Sequence, residues 1–361
     1  MFELFWEKEG ELMPKKRLLL IDGSSLLSVN FYGNLPTAYL RAKTEEEREK
    51  VLPQLLQTST GRYTNGVLGM SRMILRLIEK QKPTHLAVAW DVTRNTFRRD
   101  LYNDYKATRS ETKPELKEQF QTMQEVLQAM NIPDFRFKNY EADDIIGTLA
   151  RRFEDEAEVF ILTKDQDALQ LVSEKTRLWL ITDKCQQWYK ELEAGTEYMQ
   201  CAPQGCFEFT PLLVKEIYDI YPQQVIDFKA IVGDKSDNIP GIKGVGEKTA
   251  IPLLQEFGSI EEIYERLEEV TPQQEKEFKA FLKELGIRKS PLKNFLAPGA
   301  KELGLLSKQL ATIKTDIAEL NTVQLKDLEL CGDCLGTKRI FTELEFKSLL
   351  PRVEEVFPLA G

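Results

Sequence analysis

The chain has 361 residues, 42% hydrophobic and 30% charged, with a formal net charge of −9. No apolar run reaches the roughly 18 residues of a membrane span, and the opening MFELFWEKEGELMPKK has no apolar stretch that a secretory signal could use. A soluble, cytoplasmic protein is expected, and the five cysteines suit free thiols in a reducing compartment.

Taken in chain order, LLLID (18–22) reads as a short buried strand ending in Asp. Residues 34–62 are polar and read as an insertion or loop. Residues 66–80 have helical periodicity, and HLAVAWD (85–91) is a second strand ending in Asp. An amphipathic helix is expected at 113–130, another at 141–153, and strands at 157–167 and 177–181. Strands alternating with helices predict a parallel α/β sheet. Residues 183–207 read as irregular and hold three of the five cysteines. Beyond about 210 the chain turns to short helices and Gly/Pro turns, and residues 270–361 to charged helices and connectors.

The chemistry lies in the acids. Asp22 and Asp91 close two predicted strands, and Asp165 and Asp167 close a third. A parallel sheet brings these ends to one edge, where ligands bind in open α/β folds. Glu141, Asp143 and Asp144 crowd one helix start, while Asp234 and Asp237 share a later turn. Removing these nine acids would bring the formal charge from −9 to zero. A lone strand-end Asp is ordinarily a cap. Nine acids in this order call for cations, and Mg²⁺ takes such oxygen ligands. Two ions can activate a water and steady a leaving oxygen. The single histidine, His85, falls within a strand and reads as a core residue. Cys331-Gly-Asp-Cys334 is half a zinc site with no partner pair.

GIKGVGEKT (241–249) has the Gly spacing of a P-loop, but Glu247 intervenes before Lys248-Thr249 and no strand precedes it. A helix–hairpin–helix fits better. Gly244 and Gly246 would form the turn, and Lys243, Lys248 and Thr249 would meet a phosphate at the next helix start. Residues 94–109 carry Arg94, Arg98, Arg99, Lys106 and Arg109 against Asp100 and Asp104, a net +3. At helical spacing Lys106 and Arg109 would share a face beside Tyr102 and Tyr105, suiting a single strand or a splayed base.

LLLIDG, AWD, FRRDLYNDYKATR, YEADDIIGTLA, ILTKDQDALQL and VGDKSDNIPGIKGVGEKTA, in this order, resemble the bacterial 5′-3′ exonuclease and flap endonuclease family. That family includes the N-terminal nuclease domain of DNA polymerase I. The resemblance runs from about Arg17 to Leu267. It implies an α/β, PIN/FEN-like parallel-sheet core, a helical arch, and a helix-three-turn-helix DNA-binding domain. The implied domains are 15–182 for the metal-binding core, 183–290 for DNA binding and 291–361 as a helical extension. It assigns Asp22, Asp91, Glu141, Asp143, Asp144, Asp165, Asp167, Asp234 and Asp237 to two Mg²⁺ ions, with Mn²⁺ as the alternative metal. Asp22, Asp91 and Asp144, with the arch cations Lys106 and Arg109, are the implied catalytic set. Arg98, Tyr105, Lys106, Arg109, Lys243, Gly244, Gly246, Lys248 and Thr249 are the implied DNA contacts. A K⁺ ion is implied on backbone carbonyls around 232–245. Ser28-Val29 stands where relatives often carry Tyr-Arg, so no phosphate contact is assigned there.

The implied enzyme is a monomeric, nucleoid-associated nuclease, standing alone without a polymerase. It would cut DNA at 5′ ends and 5′ flaps, leave 5′-phosphorylated products, remove RNA from hybrid primers, and serve Okazaki-fragment processing and repair. A PIN-type ribonuclease would share the acids but not need the hairpin. A catalytically silent DNA-junction binder would have lost one or more acids.

Overall fold

The computed structural model describes residues 5–8, 11–192 and 202–358. An antiparallel pair, β1 (Phe5–Lys8) and β2 (Glu11–Pro14), precedes a six-stranded sheet. The sheet strands are β3 (Arg17–Asp22), β4 (His85–Trp90), β5 (Asp134–Arg136), β6 (Glu158–Thr163), β7 (Thr176–Ile181) and β8 (Cys206–Phe209). Their order is β5-β4-β3-β6-β7-β8, all parallel except β8 against β7. From β3 the chain crosses first to β4 on one side and later to β6 on the other. The carboxyl end of β3 is therefore the switch point where such sheets open a crevice.

The alternation along β3 divides the core. Leu18 and Leu20 face one side, where α7 (Ala142–Phe153) contributes Ile145, Ile146, Leu149 and Phe153. Leu19 and Ile21 face the other, against α1 (Gly23–Gly33), α4 (Asn65–Gln81) and α6 (Pro114–Ala129). The first of these layers continues into the later helices, among them Val225–Val232, Glu247–Phe257 and Ile260–Glu268. His85 is buried, with Nδ1 2.8 Å from the Thr84 hydroxyl, as expected of a core histidine.

Several expectations change. Segment 34–62 holds two short helices, α2 (Thr37–Arg41) and α3 (Glu45–Val51). The second is closed by a capping box between Thr44 and Glu47. The 157–167 strand stops at Thr163, because Asp165 caps a short 3₁₀ turn. In 183–207 the chain forms α8 (Cys185–Glu191) and enters β8, while Cys201 lies outside the described residues. The boundary expected at 182 thus falls inside the sheet, because buried Phe207 and Phe209 complete its edge.

Residues 291–361 do not form a separate extension. The helix Ala300–Ala311 packs on Val225–Val232. The helices Cys334–Glu343 and Leu350–Val356 return to α4 and α6. There Phe341, Phe346, Val353 and Phe357 join the α1/α4/α6 core. Phe341 is fully buried, so Phe341→Ala is expected to cost ~3–5 kcal/mol of stability, read as a lower midpoint in urea unfolding.

Candidate nuclease site

Five of the nine acids line one open groove of about 1870 Å³: Asp22, Asp91, Glu141, Asp143 and Asp165, together with Lys106 and Arg109. Each is placed by a local device. Asp22 ends β3 and caps α1, accepting from the Ser25 amide at 2.8 Å and the Thr163 hydroxyl at 2.7 Å. Asp91 follows β4 and accepts from the Ala142 amide at 3.0 Å, which ties β4 to the start of α7. Glu141 is the N-cap of α7, and Asp165 caps the turn after β6 by accepting from the Asp167 amide at 3.0 Å.

Burial and crowding make these charges costly. Burial, then the charge on Asp91, pushes the Asp22 carboxyl up to about 7, against the opposing Ser25 and Thr163 hydrogen bonds. Burial and then Asp165, Asp22 and Asp91 hold Asp143 well above its ordinary value. Among the described residues no three acid, imidazole or thiolate groups are already gathered tightly enough to hold a metal ion. Internal cations engage Glu141, Asp167, Asp234 and Asp237 instead. The Lys106 ammonium donates to Glu141 at 2.6 Å and lies 3.5 Å from Asp237, and Arg109 is paired with Asp237. Lys229, which the motifs did not single out, is paired with Asp167 and lies 2.7 Å from Asp234. The signal for Lys229 was its place on the helix one turn ahead of Asp234.

Three assigned roles are corrected. Asp144 is fully buried, and its two oxygens accept four hydrogen bonds. The Arg98 guanidinium supplies two, at 2.7 and 2.8 Å, and the Lys314 and Glu141 amides supply the others, at 2.8 and 3.0 Å. No lone pair is left to ligate a metal, so Asp144 organises the start of α7 and is not a ligand here. Arg98 is 2% exposed and also donates to the Leu310 and Thr312 carbonyls at 2.9 and 2.7 Å. It cannot reach DNA from that position. Tyr105 is buried, its hydroxyl on Glu141 and Asp237 and the Lys106 ammonium over its ring, so it offers no face to a base.

The implied arch takes another form as well. After the five-residue α5 (Phe97–Leu101) the chain runs in turns, with Lys106 at φ +54° and its amide donating to the Asp237 carbonyl. Lys106 and Arg109 therefore meet through a turn and not along a helical face. Helix α6, which follows, packs its apolar face into the core and lines the groove with Lys117, Gln121, Gln124 and Gln128.

The hairpin forms between Val225–Val232 and Glu247–Phe257. Ile242 and Val245 are buried and Lys243 and Lys248 exposed, so the turn anchors on apolar residues and turns its cations outward. Gly244 has φ +80°, a region L-residues avoid, and the Asn294 side chain donates to the Lys243 carbonyl at 2.8 Å. Gly246 is extended and serves as the N-cap of Glu247–Phe257, so of the two expected turn glycines Gly244 makes the sharp bend.

Two outcomes follow from this geometry. Asp144→Ala would leave Arg98 buried without its carboxylate and is expected to cost ~3–5 kcal/mol, seen as a lowered thermal midpoint. The double change Arg98→Met with Asp144→Leu should recover part of that loss. Asp22 and Asp167 both titrate near 7, above the ordinary 3.8, burial being the first cause for each. Their protonated forms favour the fold. The stability they contribute is full below pH 3.8 and is lost as pH rises through about 7. Without divalent metal, melting should therefore fall between pH 4 and 7.5, and Asp22→Asn should flatten that slope.

Comparison with known proteins agrees with this architecture. A family model described as "5'-3' exonuclease, N-terminal resolvase-like domain" matches residues 17–199, and "5'-3' exonuclease, C-terminal SAM fold" matches 220–332. The chain is 36% identical over 354 residues to DNA polymerase I of Bacillus caldotenax, covering 96% of this chain and 34% of that one. It is 37% identical over 346 residues to DNA polymerase I of Bacillus subtilis, covering 95% and 33%. The chain thus spans about a third of the length of these relatives. Among solved structures, a bacteriophage T5 flap endonuclease complex with DNA and metal ions has a TM-score of 0.56 at 20% identity, covering 91% of this chain and 100% of that one. The catalytic core of Rad2 with DNA substrate has a TM-score of 0.53 at 15% identity, covering 94% and 93%. These likenesses carry the fold, and with two family models matching in order, the chain belongs to the 5′-3′ exonuclease and flap endonuclease family of nucleases.

Proposed function

We propose that this chain hydrolyses DNA phosphodiester bonds at 5′ ends and 5′ flaps with two divalent ions, Mg²⁺ in the first place. The observation that carries the reading is the set of mutually repelling carboxylates at the carboxyl edge of β3, β4 and β6. Burial and Asp91 drive Asp22 up to about 7, and that charge is relieved by a cation of higher valence. The donor set, oxygen only and anionic, suits Mg²⁺ or Mn²⁺ better than zinc, which favours nitrogen and sulfur. Asp22, Asp91, Glu141, Asp143 and Asp165 would hold one ion, and Asp167, Asp234 and Asp237 would complete the site of the other. Bound ions would supply a water acidified toward hydroxide and a Lewis acid for the leaving oxygen.

The remaining work belongs to the chain. Lys106 and Arg109, paired with Glu141 and Asp237, would pass to the scissile phosphate once divalent ions neutralise those acids, and there offset its growing negative charge. The Asp144–Arg98 pair would keep the start of α7 fixed while this exchange takes place. On the far side, Lys243, Lys248 and Thr249 with the amides at the start of Glu247–Phe257 would grip the duplex backbone without reading sequence. A K⁺ ion on carbonyls of 232–245 is part of the same proposal, as are a monomeric state, primer removal in Okazaki-fragment processing, and DNA repair. The T5 neighbour with DNA and metal ions supports the assignment by analogy of fold.

A 5′-labelled flap duplex should be cut with Mg²⁺ and remain intact in EDTA. Binding without cleavage under both conditions would overturn the catalytic reading. Changing both Lys243 and Lys248 to Ala should weaken binding to all sequences alike and lower the slope of log K against log salt by about 1–2, measured by fluorescence anisotropy.

A further inference from the structure

Lys229 lies within the acidic cluster at a point no motif marks. It sits in the last turn of Val225–Val232, and its ammonium joins Asp167, which trails β6, to Asp234, which opens the hairpin segment. The three side chains are 13%, 15% and 18% exposed, so solvent screens the contact only in part. Burial works against the charge on Lys229, yet Asp167 and Asp234 hold its pKa above the ordinary value. The two acids respond differently. Burial opposes ionisation of Asp234, but Lys229 and Ser236 bring it down to about 2. Asp167 is pushed up to about 7 by burial and by Asp165, with Asp237 adding to the repulsion. One ammonium thus serves two carboxylates, and a single positive charge is less than this corner of the cluster requires.

We propose that Lys229 is a built-in competitor for the second divalent ion, so that the cluster loads its two ions in sequence and not with equal affinity. The proposal rests on the two-ion reading above. Lys229 holds Oδ1 of Asp167 and Oδ2 of Asp234, and Oδ1 of Asp234 already accepts from Ser236, so a divalent ion joining the two acids competes with the ammonium for their oxygens. The first ion meets an ammonium only at Glu141, where Lys106 is paired, and Asp22, Asp91, Asp143 and Asp165 line the groove beside it. The second must displace Lys229, and it binds weakly until the ammonium has left. A lysine serving only to clip the hairpin segment to the sheet would affect stability and leave ion binding unchanged.

The test is a Mn²⁺ titration of the full chain without DNA, following the free aqueous ion by electron paramagnetic resonance. The native protein should show one tight and one weak class of site. Lys229→Met should tighten the weak class by about tenfold or more, the scale on which one adjacent charge moves a binding equilibrium, and change the tight class far less. Lys229→Arg should keep the two classes apart. If Lys229→Met does not fold, Lys229→Gln is judged by the same criterion. A weak class unmoved by loss of the ammonium, with or without a lower melting temperature, would overturn the proposal and leave the two-ion reading standing. No Mn²⁺ bound by either protein would overturn both.

Discussion

Charge repulsion at the carboxyl edge of the sheet is the constraint around which the rest of the structure is arranged. Parallel strands place Asp22, Asp91 and Asp165 side by side, and α7 adds Glu141 and Asp143 from above. The same topology that gathers these groups makes them costly to bury and to ionise together. The fold answers with cations from distant parts of the chain. Lys106 and Arg109 come from the turns after α5, and Lys229 from the helix before the hairpin segment. These ion pairs tie the later helices to the sheet, so the electrostatics of the site also bear on the orientation of the DNA-binding part.

A distinction emerges between acids that are satisfied and acids that are not. Asp144 is saturated by Arg98 and two backbone amides and belongs to the architecture. Asp22 and Asp143 remain under strain of charge and belong to the chemistry. Both kinds carry the same side chain within a few residues of one another. Spacing alone could not separate them, because Glu141 and Asp144 share a helix face whether they bind a metal or cap the helix.

What was legible from the residues was what local rules determine. The strand-end acids, the α4, α6 and α7 helices and the hairpin at 241–246 all followed from periodicity, caps and glycine chemistry. The misread residues depend on partners far away in sequence. Arg98 looked like one of five cations in a basic stretch, and its partners lie 46 and 212 residues away. Tyr105 looked like a stacking platform, but its hydroxyl is claimed by Asp237, 132 residues on. Lys229 was one more lysine on a short helix. The edge strands β5 and β8, of three and four residues, were too short to show a period. The capping box at Thr44 and Glu47 was a local signal, present in the sequence and hidden by the charge-rich composition around it.

The return of the last helices has a consequence for how the protein is made. Helices α4 and α6 bury part of their apolar surface against Leu350–Val356 and Cys334–Glu343, more than 200 residues later and 273 for the Glu79–Arg352 contact. During synthesis the first sheet layer must wait on the ribosome with that surface open until these helices emerge. Contacts of such sequence separation form slowly. The newly made chain is thus exposed to misassociation until Leu350–Val356 has emerged, and this layer of the nuclease reaches its native order only then.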